Sequence, residues 1–323
     1  VPCRDWISDV CSSDLQSVPN GTGHTARFDL GFTAPRTVTL DLNATLGALL
    51  FDSATAPLLA GSATLTLDNG TTPAVLASER GTPVIGPALA LAGDTSALIA
   101  PAATLTLAGN VSGAALHVSG GGTLALAATN TAALTAVSGA TLILGAEGAQ
   151  QAPLALDNAT LRSAADATLA GDVTFGPYGA TVTPAPDTTL TLSGALSGDG
   201  DLVKTGASTL VLDTTPAYTG ATVANGGTLA LTTPPAGPLT LGAGTLAYTG
   251  ADASLPGYTV NLAATNAAVL LTDAALTVTG PVQTLSGGFV KRGTGTLAFT
   301  YPVAQTLGDR KSTRLNSSHG KLS

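Results

Sequence analysis

The residues of this chain that could do chemistry are few and scattered. Asp199 and Asp201 flank Gly200, a spacing that offers oxygen ligands to Ca²⁺. A calcium-binding roll would repeat Gly-Gly-x-Gly-x-Asp with a period of about nine residues, and Asp-Gly-Asp occurs here once. The pair therefore reads as a solvated turn in which Asp tolerates unusual backbone angles. His117 lies between Leu116 and Val118, so strand alternation turns it away from a core. His24 sits in a Gly/Thr loop, and chain order does not identify a Ser-His-Asp constellation, because unrelated folds use different orders. The run Gly120-Gly121-Gly122 lacks the Lys and Ser/Thr that must follow in a phosphate loop, and reads as a tight turn. Asn-x-Ser/Thr triplets at Asn43, Asn110 and Asn158 are what chance yields in so Thr-rich a chain. No catalytic, cofactor-binding or metal-ligating residue is assigned, and no cofactor is expected.

The elements that would position such residues are one recurring word, Thr-Leu-x-[Leu/Phe/Tyr]. It begins at Thr64, Thr104, Thr123, Thr141, Thr189, Thr209, Thr228, Thr245 and Thr296, with degenerate copies at Leu161, Leu169 and Leu276. Successive words stand 40, 19, 18, 48, 20, 19, 17 and 51 residues apart, the degenerate copies fall within the long steps, and the underlying period is about 17 to 21. Within a word, alternate residues point to opposite faces of a strand, so Leu faces one way and Thr, Ala or Val the other. Between words lie turn residues such as Asp68-Asn69-Gly70. A leucine-rich repeat would place Asn or Cys after its leucines, and a propeller blade needs about 40 residues with aromatic signatures. A parallel β-helix fits instead: an all-β solenoid of about 14 coils, each ~4.8 Å above the last, with the Leu of the words in one continuous interior stack.

Composition agrees with such a repeat. Of 323 residues 44% are hydrophobic but only 10% charged, against about 25% charged in an ordinary globular domain. A charge kept in a repeat would stack on its like in the next coil, which destabilises a ladder, whereas Thr does not. The formal net charge of −8 excludes a basic nucleic-acid surface. No apolar run is long enough for a transmembrane helix. Five Tyr, one Trp and six Phe are too few for the aromatic girdles of an outer-membrane barrel.

Both ends differ from the rest. Residues 309–319, DRKSTRLNSSH, resemble a translated sequencing adapter, and residues 5–15, DWISDVCSSDL, resemble its reverse complement with Ile7 the one departure. Residues 1–15 and 309–323 are therefore expected to be non-native tails around a single β-helix at 16–308, itself an interior fragment of a longer gene. Trp6, Cys3 and Cys11 fall in the tails, which leaves 7 Lys/Arg against 16 Asp/Glu and no Cys in 16–308.

Residues 194–231 read GALSGDGDLVKTGASTLVLDTTPAYTGATVANGGTLAL. This stretch resembles the autotransporter-associated β-strand repeat at Gly198, Gly200, Leu202, Lys204, Gly206, Thr209, Leu210, Leu212, Tyr218, Thr219, Gly220, Thr222, Val223, Gly227, Thr228, Leu229 and Leu231. It departs at Ala207-Ser208 and at Pro216-Ala217. A second copy at 285–300 matches the front half and stops before the Tyr-Thr-Gly. Lys204 and Lys291 hold equivalent positions in the two copies, which argues for a structural role at the edge of a coil. The resemblance implies a right-handed parallel β-helix from a type V autotransporter passenger, exported to the surface of a Gram-negative bacterium by a C-terminal outer-membrane barrel that this chain does not include. The absence of Cys from 16–308 suits such export.

Three functional classes follow. The first is a non-catalytic, surface-exposed or secreted rigid stalk or adhesin-like rod, whose partner would be a host-cell, polysaccharide or abiotic-surface ligand along a solenoid flank, with no nucleic acid. The second is the stalk of a protease-type passenger whose catalytic domain lies elsewhere. The third is a β-helix polysaccharide-active enzyme, which needs carboxylates gathered on one flank. No such cluster shows in the sequence, so the first class is expected and enzymatic activity is not.

Overall fold

The computed structural model describes residues 19–28, 34–145, 150–255, 260–262, 267–271, 274–279, 282–284, 289–300 and 321–322. They divide into two compact units, Val1–Thr160 and Leu161–Ser323. Among the described residues there is no helix.

In the first unit five successive turns of chain each lay down three short strands in fixed order, one on each of three sheets, and in the next turn an isolated bridge of Gln150 to Asn130 stands in for the third strand. The first sheet takes Thr25–Phe28, Ala48–Asp52, Ala74–Arg80, Thr95–Ile99, Leu116–Ser119, Thr135–Ser138 and Leu154–Asp157. The second takes Thr37–Thr39, Leu58–Ala60, Val84–Ile85, Thr104–Leu107, Thr123–Leu126 and Thr141–Leu144. The third takes Ala44–Leu46, Thr64–Leu67, Ala88–Leu91, Val111–Gly113 and Asn130–Ala132. Each strand pairs in parallel with its equivalent in the neighbouring turn, as Thr104–Leu107 does with Thr123–Leu126 and Val111–Gly113 with Asn130–Ala132. Parallel neighbours require a long crossover, and here the crossover is the rest of the turn. The product is a parallel β-solenoid.

The second unit repeats the plan. Its second sheet holds Ala180–Val182, Leu202–Lys204, Thr222–Ala224, Leu239–Leu241, Val260–Leu262 and Val282–Thr284. Its third holds Ala167–Leu169, Thr189–Leu192, Thr209–Leu212, Thr228–Leu231, Thr245–Tyr248, Ala267–Leu271 and Phe289–Arg292. The first position carries Val173–Phe175 and Leu196–Gly198, and later Ala253–Leu255, Ala275–Val278 and Thr296–Phe299. Between these two groups the chain around Tyr218 takes the place of a strand, its Ala217 and Thr219 amides donating to the Leu196 and Gly198 carbonyls. Strand Ala159–Ser163 spans the division between the units.

With six second-sheet strands wholly inside each unit, the turns are slightly fewer than the ~14 expected at ~4.8 Å each. Turn length varies more than the words suggest, from 17 residues between Thr222 and Leu239 to 27 between Ala48 and Val75. Of residues 309–323, only Lys321–Leu322 is described, and it pairs antiparallel with Thr296–Phe299. The expectations for Trp6 and residues 1–15, and for 309–320, lie outside the described residues.

Alternation decides what each strand buries. In the words beginning at Thr64, Thr104, Thr123, Thr141, Thr189, Thr209 and Thr228, both Leu are buried while the two other positions stay partly exposed. Leu65, Leu105, Leu124, Leu142, Leu190, Leu210 and Leu229 are each 0% exposed. Each contributes roughly 1.5–3 kcal/mol by leaving water. The degenerate copies behave alike, with Leu161, Leu169 and Leu276 all buried.

One expectation is corrected. The Leu of the words do not form a single stack. In the first unit Leu105, Leu124 and Leu142 align on the second sheet, while Leu65 aligns with Ala44 and Leu89 on the third. In the second unit Leu190, Leu210, Leu229 and Leu246 align on the third sheet, and Leu297 aligns with Leu276 on strands of the first position. The word encodes a strand with one apolar face, and any of the three sheets accepts such a strand. Corner loops of unequal length then decide which sheet receives it.

Candidate functional site

Asp and Asn side chains at the corners form the most regular polar feature of the molecule. Among the described residues, eight of them accept a hydrogen bond from a main-chain N–H in the next turn. Asn20 accepts from Thr45 (2.8 Å), Asn43 from Thr64 (2.9 Å), Asp94 from Ala115 (3.3 Å) and Asn110 from Thr129 (3.2 Å). Asp166 accepts from Thr189 (2.7 Å), Asp172 from Ala195 (3.0 Å), Asp201 from Ala221 (2.7 Å) and Asp252 from Ala275 (2.7 Å). Seven of the eight, all but Asn20, stand one residue ahead of their own strand. For these seven the N–H received belongs to the residue aligned one turn on, as the pairings Ala44 with Leu65 and Leu202 with Thr222 require. A main-chain N–H at a corner needs an acceptor, and the side chain supplies it.

This arrangement relocates several residues singled out in the sequence. Asp201 is a clasp between turns, and Asp199 is an exposed residue of the same corner. Gly200, between them, belongs there because a Cβ would stand 1.8 Å from the Gly176 carbonyl oxygen of the previous turn. Asn43 and Asn110 are clasps too, whereas Asn158 adopts a left-handed backbone with φ 48°. His117 is exposed, as alternation requires, and so is His24. In the triple-glycine run Gly120 has φ 103°, and a Cβ there would lie 2.5 Å from the Ile99 carbonyl oxygen, so the run is a tight turn against the preceding coil. Among the described residues no group of three or more His, Cys, Asp or Glu side chains is placed to hold a metal ion.

Four buried side chains with polar groups lie within the 194–231 segment, Lys204, Ser208, Tyr218 and Thr222. Lys204 is 0% exposed, and its ammonium donates to the carbonyl oxygens of Thr205 (3.0 Å), Gly206 (2.9 Å) and Gly226 (3.0 Å). It therefore ties its own corner to the corner one turn on. Burial pushes the Lys204 ammonium down to about 8. Lys291, its equivalent, donates to the Gly293 carbonyl at 2.8 Å, the same offset of two residues as Lys204 to Gly206. Tyr218 is also fully buried, edge-on to Phe175 with ring centroids 5.1 Å apart. Its hydroxyl shares a hydrogen bond with that of Thr222. Burial raises the Tyr218 phenol above its ordinary range.

Among the described residues of the first unit, one carboxylate is held between two arginines. Asp52 lies between Arg27, 3.2 Å away, and Arg80, 2.9 Å away, on three adjacent strands of the first sheet. Opposite charges side by side stabilise a ladder. A single carboxylate between two guanidinium groups has the makings of a strut across strands.

Sequence reasoning missed the clasps as a class. Their signal is legible afterwards: Asp or Asn immediately before a short apolar-alternating strand, 19 to 23 residues from the aligned amide. Asp201→Ala should lower stability by about 1 kcal/mol, the usual worth of one such hydrogen bond, whereas Asp201→Asn, which keeps the acceptor oxygen, should cost far less. Urea unfolding of the three proteins separates these outcomes; equal losses in the two variants would deny the clasp. No protein-family profile, curated protein or solved structure matches the chain.

Proposed function

We propose that the chain is a non-catalytic segment of an autotransported surface protein, acting as a spacer or adhesive stalk outside a Gram-negative cell. The observation that carries this reading is the employment of the acidic side chains. Asp94, Asp166, Asp172, Asp201 and Asp252 are spent on main-chain amides of neighbouring turns. Asp52 is held between two arginines. A parallel β-solenoid supports the same reading, because its turns repeat one lateral surface on which weak contacts with a ligand add from coil to coil. The export context rests on the repeat-like segments at 194–231 and 285–300.

The test is to display the chain on a bacterial surface and to measure attachment to host cells and abiotic surfaces beside hydrolysis of a polysaccharide and casein panel. Attachment that weakens gradually as turns are deleted is expected. Turnover that disappears on substitution of one particular Asp or His would overturn the reading in favour of an enzyme.

A further inference from the structure

Three Asn-Gly pairs occur in the chain, Asn20-Gly21, Asn69-Gly70 and Asn225-Gly226, and their surroundings differ in one chemically decisive respect. An asparagine followed by glycine can cyclise when the glycine amide nitrogen attacks the side-chain carbonyl carbon, and glycine permits the approach because it carries no side chain. The step requires the attacking N–H to give up its proton. The Gly21 N–H donates to the Thr45 carbonyl at 2.7 Å, and Asn20 Oδ1 accepts the Thr45 N–H at 2.8 Å, so nucleophile and electrophile are both tied to one residue of the next turn. At the third pair the main chain on either side of the Gly226 nitrogen is held, the Asn225 N–H by the Lys204 carbonyl and the Gly226 carbonyl by the Lys204 ammonium, and among the described residues no carboxylate accepts from the Gly226 N–H. At the second pair the Gly70 N–H donates to Asp68 Oδ1 at 2.9 Å. A carboxylate thus touches the very proton that must leave.

We propose that Asn69 is a self-modifying site, converted through a cyclic imide to aspartate and isoaspartate with the Asp68 carboxylate as the proton acceptor. The Gly70 N–H and, after it, the Thr22 hydroxyl hold the Asp68 carboxyl below its usual range, so it is ionised at neutral pH. The Gly70 proton passes to Asp68 as the Gly70 nitrogen bonds to Asn69 Cγ. The Cγ–Nδ2 bond then breaks, the proton returns to the departing nitrogen, and ammonia leaves. Water opens the imide at either carbonyl, so the net change consumes one water, releases one ammonia and restores Asp68. Attack on one side gives aspartate at position 69; attack on the other inserts a methylene into the main chain.

The site matters because of where it stands. Residues 68–73 form the corner between strands Thr64–Leu67 and Ala74–Arg80, and Asn69 Nδ2 donates there to Thr72 Oγ1 at 2.8 Å and to the Pro73 carbonyl at 3.2 Å. Conversion removes both donors and sets a second carboxylate beside Asp68. The corner would loosen with age while the buried strands on either side persist. This inference is independent of the proposed surface role.

The test is to incubate the whole chain at neutral pH and warm temperature, then map conversion at all three Asn-Gly pairs by peptide mass spectrometry with an isoaspartate-specific methyltransferase assay. Asn69 should convert several-fold faster than Asn20 or Asn225. Asp68→Asn, which keeps an acceptor oxygen for the Gly70 N–H and removes the base, should slow Asn69 by at least about tenfold, a modest share of what positioned bases contribute in enzymes. Rates at Asn20 and Asn225 should not change. A short peptide spanning residues 66–73 gives a reference that does not depend on the variant folding, and Asn69 in the intact chain should outpace it. Equal rates at the three pairs, an unchanged rate in Asp68→Asn, or a peptide faster than the intact chain would each overturn the proposal.

Discussion

Leu210→Asp should abolish cooperative folding of the second unit under conditions where the unchanged chain is fully folded. Leu210 is 0% exposed and aligned between Leu190 and Leu229 on the third sheet. A carboxyl there would lie between two leucines with no donor in the stack, so it would be buried either ionised and unpaired or protonated at a cost. Such changes belong to the small class of point substitutions that exceed about 4 kcal/mol. Two companions make the result specific to the alternation. Leu210→Ala removes the same side chain without adding charge and should cost about 2 to 5 kcal/mol. Val211→Asp, at the next position and on the partly exposed face, should cost less than either. Circular dichroism and urea unfolding read all three; equal damage from Leu210→Asp and Val211→Asp would mean that the two faces of the strand are not distinguished as described.

Lys204→Met should lower stability by about 2 to 4 kcal/mol near neutral pH, because it preserves the volume but leaves the Thr205, Gly206 and Gly226 carbonyl oxygens without the ammonium that ties them. Its sharper signature is in pH dependence. Burial lowers the folded-state value of Lys204 to about 8, below the unfolded value near 10.4. Below pH 8 both states carry the proton, and the folded state bears the whole cost of the buried charge. Between about 8 and 10 the unfolded chain holds a proton that the folded chain has released, so stability rises with pH. Screening at a corner built of small residues reduces the gain to an order of 1–2 kcal/mol. Above about pH 10 the slope reverses. Tyr218, whose ionisation burial suppresses, then loses its proton only in the unfolded chain. Unfolding free energy measured from pH 7 to 11 should therefore pass through a maximum near pH 10 in the unchanged chain. In Lys204→Met the rise should vanish and the fall remain, and a rise of equal size in that variant would remove Lys204 from the account.

The fold was legible in the chain because its signal is local and repeated. Thr-Leu-x-Leu dictates a strand with one apolar face wherever it occurs, as the burial of both Leu in the words starting at Thr104, Thr123, Thr189 and Thr209 shows. A spacing near 20 residues, with turn chemistry between words, leaves little besides a solenoid. The exposure of His117 followed from two-residue alternation alone. Even the degenerate copies at Leu161, Leu169 and Leu276 took interior positions, since burial asks only for an apolar side chain on the correct face.

What the sequence determined by itself is thus the direction in which each side chain points, a consequence of backbone geometry within three or four residues. Which residues meet across turns was decided only by the tertiary structure. Leu65 and Leu105 belong to identical words yet lie on different sheets, because loops of unequal length carry the chain around different fractions of a turn between them. Asp201 reads as a turn residue until the next coil brings the Ala221 amide to 2.7 Å. Lys204 reads as the edge of a coil until Gly226 closes over its ammonium. These contacts join residues 20 and 22 apart in sequence. Local propensity cannot register such a separation, because the acceptor and the donor face each other only after a full turn has closed.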